Sequence, residues 1–315
     1  MRLYALACPE TLTMTTGFYL SIGNVIIDDI ILPDGSSRMG RLGGGAVHAV
    51  MGMRVWHSRV GLAAPVGSDF GGDQLAELAE HFDLSGLCYR STPTPRAWQL
   101  FETDGTRNEV FRTSFAEMLA ICLNPRELPA VYDPPAGIHL HCSPQEVPLW
   151  AAALRQRGCR MILWEPWDGF CIAENLAEFS RYAAMVDAVS PNLDEARHLT
   201  GLQAPEKIIQ SLVSEHGVKV AALRMGSAGS LVADSSGHIY RIPIYPGPAP
   251  VDVTGAGNAY CGGFIVGLVE SGDLHQAGWY GGVSASLALQ QFGALYPLAG
   301  VEAETAHRLT WYHQA

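Results

Sequence analysis

Lysine is nearly missing from this chain. Of its 20 basic residues only Lys207 and Lys219 are lysines, and 31 acidic residues leave a formal charge of −11. Neutralising a phosphodiester backbone takes clustered Lys and Arg. No basic run stands in the sequence, so nucleic acid and an anionic membrane surface are not expected partners. Long apolar runs are missing too: no stretch reaches the ~18 residues of a membrane span. The start, Met1 to Cys8, superficially suggests a lipoprotein signal. Its apolar part falls short of a signal core of ~7–15 residues, and Pro9-Glu10 follows at once. The expectation is an N-terminal tail over 1–17, with Met14 as an alternative start to Met1. There is no C-x-x-C pair. The seven cysteines are odd in number and scattered, which reads as reduced thiols of a cytoplasmic protein. A G-x-x-x-x-G-K-[ST] loop is missing, and so is the early G-x-G-x-x-G of a dinucleotide-binding dehydrogenase.

What is present is apolar material, 48% of 315 residues. That is enough for one large buried core and sets a mostly disordered chain aside. Strand and helix patterns alternate. Phe18 to Ile22, Val60 to Ala64, Met161 to Trp164, Ala188 to Ser190 and Val218 to Leu223 read as buried strands. Helical spacing marks Ala46 to Trp56, Leu75 to Phe82, Val147 to Leu154, Ile172 to Phe179, Ile208 to Leu212, Ala259 to Val269 and Ser284 to Gln291. Leu231 to Ile244 reads as a hairpin. This predicts an α/β fold with a mostly parallel sheet and helices on both faces. Two β-rich pieces, about 29–43 and 94–116, interrupt the alternation and suit a small separate sheet.

One stretch carries the sharpest chemistry. Asp252-Val253-Thr254-Gly255-Ala256-Gly257-Asn258 leads into a long apolar helix. Small residues at a helix start leave free N–H groups, a favourable dipole and room for a phosphate. A Gly-rich turn that only packs a buried helix is the competing reading. Earlier in the chain, His139 and His141 share one strand face, where packing outweighs a metal site. Glu165 ends a strand and so points toward a ligand crevice. A plain strand-end carboxylate is the competing reading. Trp98, Trp164, Trp167 and Phe111 read as core or pocket wall.

Asp252 to Phe264 resembles the C-terminal signature of ribokinase-like (PfkB) carbohydrate kinases, D-[TS]-T-G-A-G-D-x-F-x-x-G-F. Further blocks fall in that family's order: Gly23 to Asp28, Gly43-Gly44-Gly45 to His48, Val60 to Gly71, Asn192 to Gly201, and Leu223 to Gly229. The resemblance spans about residues 18 to 300 and implies a three-layer sandwich over 18–315 with a small β-sheet lid. It implies transfer of a phosphoryl group from ATP, with Mg2+, to a hydroxyl of a sugar or nucleoside. Asp28, Gly43, Gly44 and His48 would hold the substrate. Gly255, Ala256 and Gly257 would form the anion hole. Asn192, Glu195, Arg224, Gly226, Gly229 and Thr254 would serve the nucleotide, with Glu195 reaching the metal indirectly. A homodimer through the lid is also implied.

The departures from the pattern are as informative. Asn258 stands where the family has the Asp that takes the substrate proton, and an amide cannot be that base at neutral pH. General-base terms are typically ~10²–10⁴-fold, and a loose phosphoryl transition state asks little of the nucleophile. Three readings therefore stay open: a kinase that works with Asn, a slow kinase, or a ligand-binding or regulatory protein on the same fold. His48 replaces a frequent Asn, and Glu165-Pro166-Trp167 replaces D-x-N or D-x-R.

Overall fold

The computed structural model describes residues 15–104 and 107–315. The expected tail, apart from residues 15–17, lies outside the described residues, as do Met1, Met14 and residues 105–106 of the second β-rich piece. From the N-terminus the chain forms β1 (Tyr19–Ile22), β2 (Ile26–Ile31), β3 (Ser37–Gly43), α1 (Gly45–Arg54), β4 (Val60–Val66), α2 (Asp73–Ala79) and β5 (Asp83–Tyr89). Then come β6 (Arg96–Phe101), β7 (Arg107–Phe111), α3 (Phe115–Ala120), β8 (Gly137–Leu140), α4 (Val147–Gln156), β9 (Met161–Trp164), α5 (Leu176–Ala183) and β10 (Ala188–Val189). The rest is α6 (Leu193–Thr200), α7 (Pro205–Glu215), β11 (Val220–Arg224), β12 (Ser230–Asp234), β13 (Ile239–Ile242), α8 (Ala256–Ser271), α9 (Leu274–Ala288) and α10 (Val301–Tyr312).

Nine strands form the large sheet in the order β13-β12-β11-β10-β9-β8-β1-β4-β5. Only β11–β12 and β12–β13 pair antiparallel. Side chains alternate across this sheet with period 2. Tyr19 and Leu163 join the apolar core that holds α1, α8 and α9; Leu20, Ile162 and Trp164 join the core that holds α4, α5 and α7. This is the three-layer α/β arrangement expected. The two β-rich pieces pair as a second sheet, β3-β2-β6-β7. Its middle pair, β2–β6, is parallel, and both outer pairs are antiparallel.

Several elements exceed the sequence reading. Helix α10 lies beyond the last helix expected, and α9 begins ten residues before Ser284, at Leu274. Gly278, Gly281 and Gly282 read as breakers in α9, but their bare Cα positions face Ile242, Tyr260 and Tyr312. Tertiary packing overrides propensity there. Strand β5 and helices α3 and α6 were also missed. Short, polar α6 is held by an N-terminal capping box, with Asn192 Oδ1 accepting from Glu195 N at 2.8 Å and Glu195 Oε2 accepting from Asn192 N at 2.7 Å.

Helix α8 runs through the core with no polar face; Ala259 through Val269 are all buried. It lies against α1 so closely that a Cβ on Gly262 would sit 1.9 Å from the carbonyl oxygen of Ala49. Neither backbone can yield cheaply, because both belong to packed helices. We expect Gly262→Ala to cost on the order of 1–3 kcal/mol by overpacking. Gly71→Ala, where nothing lies within 4 Å, should cost far less. Urea unfolding of both variants checks this, and equal midpoints would contradict the close approach.

Candidate active site

A cavity of about 1200 Å³ opens at the carboxyl ends of the parallel strands and runs from the small sheet to the segment after β13. Strand ends in an open α/β sheet are where ligand crevices form. The volume exceeds the ~300–1,000 Å³ of a typical single small-molecule pocket, so two small ligands fit end to end. Arg107, Glu109 and Phe111 of β7 wall one end with Phe115 and Trp167; Tyr245 to Pro250 and Tyr312 wall the other. Between them stand the start of α8 and the ends of β9 and β11.

Helix α8 starts sharply because Gly255, its N-cap, adopts φ 71. A side chain there would be strained, and a Cβ would lie 2.0 Å from the His48 ring. Behind it, the Thr254 N–H is tied to Asp252 Oδ1 at 2.7 Å. The N–H groups of Gly257 and Asn258 then fall in the first helical turn, which has no carbonyl one turn back to accept them. At Gly257 a Cβ would sit 2.2 Å from Arg224 Nη1. A bare backbone, a helix dipole and a guanidinium thus meet at one point of the wall, an arrangement suited to phosphate oxygens.

Glu165, one residue past β9, is the hub. Its Oε1 pairs with Arg224 Nη1 at 2.7 Å, and its Oε2 accepts from His139 Nε2 at 2.8 Å and Asn258 Nδ2 at 2.9 Å. The Ser21 hydroxyl lies 2.9 Å from Nδ1 of that histidine. Burial would push the Glu165 carboxyl up, but Arg224 and the His139 hydrogen bond hold it well below the ordinary carboxylate range. Arg224 is likewise held charged by Glu165 against its burial, and its Nη2 donates to Ser190 O at 2.8 Å.

His139, Glu165 and Cys261 place donor atoms within 4.8 Å of one another, which is metal-ligand spacing. Both carboxylate oxygens are already engaged, one by a guanidinium, and burial pushes the Cys261 thiol well above its usual value. His139 and Glu165 are thus tied into a hydrogen-bonded network with Ser21, Asn258 and Arg224. His141, just past β8, lines the cavity with its Nδ1 buried and without a partner, and burial pushes its pKa down to about 4.

The structure brings Gly255, Ala256, Gly257, Asn258, Asn192, Glu195, Arg224, Gly226 and Gly229 to one cavity wall. Asp28, Gly43, Gly44, His48 and Thr254 lie behind the wall. At that end Asn24, Ile26, Gly45, Arg107 and Glu109 face the space instead. Asp28 Oδ1 accepts from Gln99 Nε2 at 3.0 Å; Gln99 also bonds Glu109 at 2.7 Å and Arg107 at 2.6 Å. Burial pushes Asp28 up to about 7, against the lowering effect of the Gln99 bond. His48 is pushed down to about 4 by burial, with its Nε2 unpartnered. Of the aromatic residues, Trp167 and Phe111 line the cavity, Trp164 is core, and Trp98 is exposed on the small sheet beneath the Arg112 guanidinium.

Sequence reasoning missed the Gln99–Arg107–Glu109 network, Asp168 in the wall, and the proline-rich walling of the far end. The run Pro243 to Pro250 was a visible signal for the last, since such a segment neither pairs nor coils and must lie over something. The others come from residues far apart in sequence.

This geometry agrees with the comparisons. The pfkB family carbohydrate kinase model matches residues 19–299, and the chain belongs to that family. It is 27% identical over 274 residues to a cytidine kinase of Thermococcus kodakarensis, covering 86% of this chain and 96% of that protein. The fold is that of an adenosine kinase from Sinorhizobium meliloti, with a TM-score of 0.78 at 20% identity over 93% of this chain and 99% of the other. A putative ribokinase II from E. coli in complex with ATP and Mg2+ aligns with a TM-score of 0.73 at 18% identity, covering 95% and 99%.

The Asp28 environment predicts a pH effect. Its pKa rises from 3.8 to about 7 on folding. The folded state therefore binds the proton more tightly, and Asp28's contribution to stability is complete at acid pH and lost as pH climbs through about 7. Asp28→Asn should flatten that part of the stability–pH curve. Denaturation midpoints between about pH 4 and 8 test it, and an unchanged slope would refute the assignment.

Proposed function

We propose that this chain is an ATP-dependent phosphotransferase acting on a hydroxyl of a small carbohydrate or nucleoside. The observation that carries the reading is the start of α8 midway along a two-ligand cavity, with Asn258 beside the anion-binding turn. The names of the relatives support the substrate class: one is a cytidine kinase and another an adenosine kinase. Magnesium fits the wall through Glu195 and Asp168, both lining the cavity. Burial pushes Glu195 up to about 7, with Asp168 contributing to the rise, so the pair gains from a cation. Held through water, the ion would neutralise charge on the β- and γ-phosphates.

The chemistry then divides among this chain's residues. The Gly257 and Asn258 N–H groups and Arg224 stabilise the transferring phosphoryl oxygens. Asn258 orients the accepting hydroxyl. As the bond from that oxygen to phosphorus forms, the bond from phosphorus to the β-phosphate oxygen breaks and ADP leaves with the electron pair. The hydroxyl proton passes to an oxygen of the transferred phosphoryl group and is lost to water with the product. Glu165 is unsuited to take it, being held ionised by Arg224. The small sheet closes the substrate end as a lid. Its outer face, with Met39, Trp98 and Val110 exposed, suits a homodimer contact. The free cysteines among the described residues suit a cytoplasmic location.

Two tests follow. Release of ADP with magnesium-ATP should respond to one member of a panel of sugars and nucleosides. Silence across the panel together with ATP binding by calorimetry would favour a ligand-binding protein without catalysis, the reading that Asn258 keeps open. With the responding substrate, Gly257→Val should lower kcat by about 100-fold or more, since it displaces Arg224 and fills the anion turn. Undiminished turnover would remove that turn from the mechanism.

A further inference from the structure

Position 258 carries an amide, yet a carboxylate stands within hydrogen-bond reach of it. We propose that Glu165 is a positioning residue that grips the NH2 group of Asn258 and thereby turns the Asn258 carbonyl oxygen toward the accepting hydroxyl, so that 165 and 258 work as one carboxylate–amide pair. The inference rests on the kinase reading for its substrate, but the pair itself stands on geometry.

Asn258 Nδ2 donates to Glu165 Oε2 at 2.9 Å. Reversed, the amide would set its oxygen against a carboxylate oxygen, so only one orientation is bonded. Glu165 cannot swing away, because Arg224 at 2.7 Å and His139 at 2.8 Å hold its two oxygens from two other strands. Asn258 also lines the cavity. Its Oδ1, directed away from Glu165, is left as the acceptor for a substrate hydroxyl. On one side, the bare Gly45 Cα leaves space in which a Cβ would lie 3.0 Å from Asn258 Nδ2 and 2.4 Å from His141 Nδ1.

The pair explains why an aspartate at 258 would not serve here. Its oxygen would face Glu165 Oε2 at the present hydrogen-bond distance. Two carboxylates that close cannot both ionise and share one proton. The charged and titratable groups around Glu165 are Arg224 from β11, His139 from β8 and His141 just beyond it, His48 from α1, Glu195 from α6 and Cys261 from α8. Arg224 is the one guanidinium among them and already balances Glu165. A second negative charge at 258 has no counter-ion among them, so the N258D carboxyl is expected to hold its proton to higher pH than a free aspartate and to offer the hydroxyl no free carboxylate.

The experiment compares the parent protein, N258D, E165Q and E165Q/N258D, each with magnesium-ATP and the substrate that responds in the panel. N258D is expected to lose about tenfold or more in kcat with KM little changed. E165Q should also lose kcat, because its side chain no longer imposes one amide orientation. The double variant, with a single carboxylate restored to the pair, should regain most of either loss. It should show an acid limb in its kcat–pH profile that the parent lacks. Turnover by N258D above the parent, or a double variant no better than the product of the two single effects, would overturn the proposal.

A second measurement does not depend on activity or on E165Q folding. Thermal unfolding of N258D relative to the parent should worsen as pH rises from about 5 to about 8, the signature of a carboxyl whose pKa is raised in the folded state. A pH-independent difference would overturn the pairing. Should the panel show no turnover at all, the kinase reading fails while this unfolding curve still decides the Glu165–Asn258 contact.

Discussion

A carboxylate removed from water is costly unless its charge and its lone pairs are answered, and the site of this protein is arranged around one such group. Glu165 is 4% exposed. Its stability requires a guanidinium and two further donors at close range, and these come from β8, β11 and α8. Satisfying Glu165 therefore brings the ends of three parallel strands and the start of a buried helix into fixed relation. The positions of Arg224 and Asn258 at the cavity wall follow from that requirement. So does the permanent charge of Arg224, which a neighbouring phosphate can use without any proton changing place.

The second constraint is steric. Helix α8 is bare twice over. Its first turn leaves backbone open to the cavity because Gly255 and Gly257 offer no side chains, and its middle admits the backbone of α1 because Gly262 offers none. The same small residues that read as a weak anion motif thus seat the helix deep enough for its N-terminus to face the crevice. His48 fills the room beside Gly255 and is kept neutral by burial, so it adds bulk but no charge next to the anion turn.

The small sheet packs on the main core through Ile27 and Leu42 and adds a polar network of its own. Arg107 and Glu109 reach the cavity from β7, and Gln99 links them to the buried Asp28. A polar network of this kind, fully paired, specifies an arrangement at one end of a mostly apolar space. It presents donors and acceptors to the cavity, while the far end, walled by prolines and tyrosines, presents apolar faces.

Much of this was legible in the residues. Short apolar runs and period-3.6 patterns marked the alternation of strands and helices, because a strand covered on both faces is apolar throughout and a surface helix buries one stripe. The anion turn at Gly255 to Asn258 was legible for the same reason: a helix start is a property of consecutive residues. The ordered family blocks carried Asn192, Glu195 and Arg224 to the same site. Helices α6 and α9 were poorly legible, since a capping box and packed glycines stabilise them through contacts that propensity does not register. The substrate end was less legible. Asp28 and His48 look like ligand-facing residues in sequence; in the structure both are buried, and Gly45, Arg107 and Glu109 line the cavity at that end.

The amino-acid sequence by itself determined the layered fold, the bare helix start and the amide at 258, all of which depend on neighbours along the chain. Only the tertiary structure decided that the amide is held by Glu165 and that Glu165 is held by Arg224 and His139. These residues are separated by tens of positions, and hydrogen bonds act across a few ångströms of space whatever the distance along the backbone.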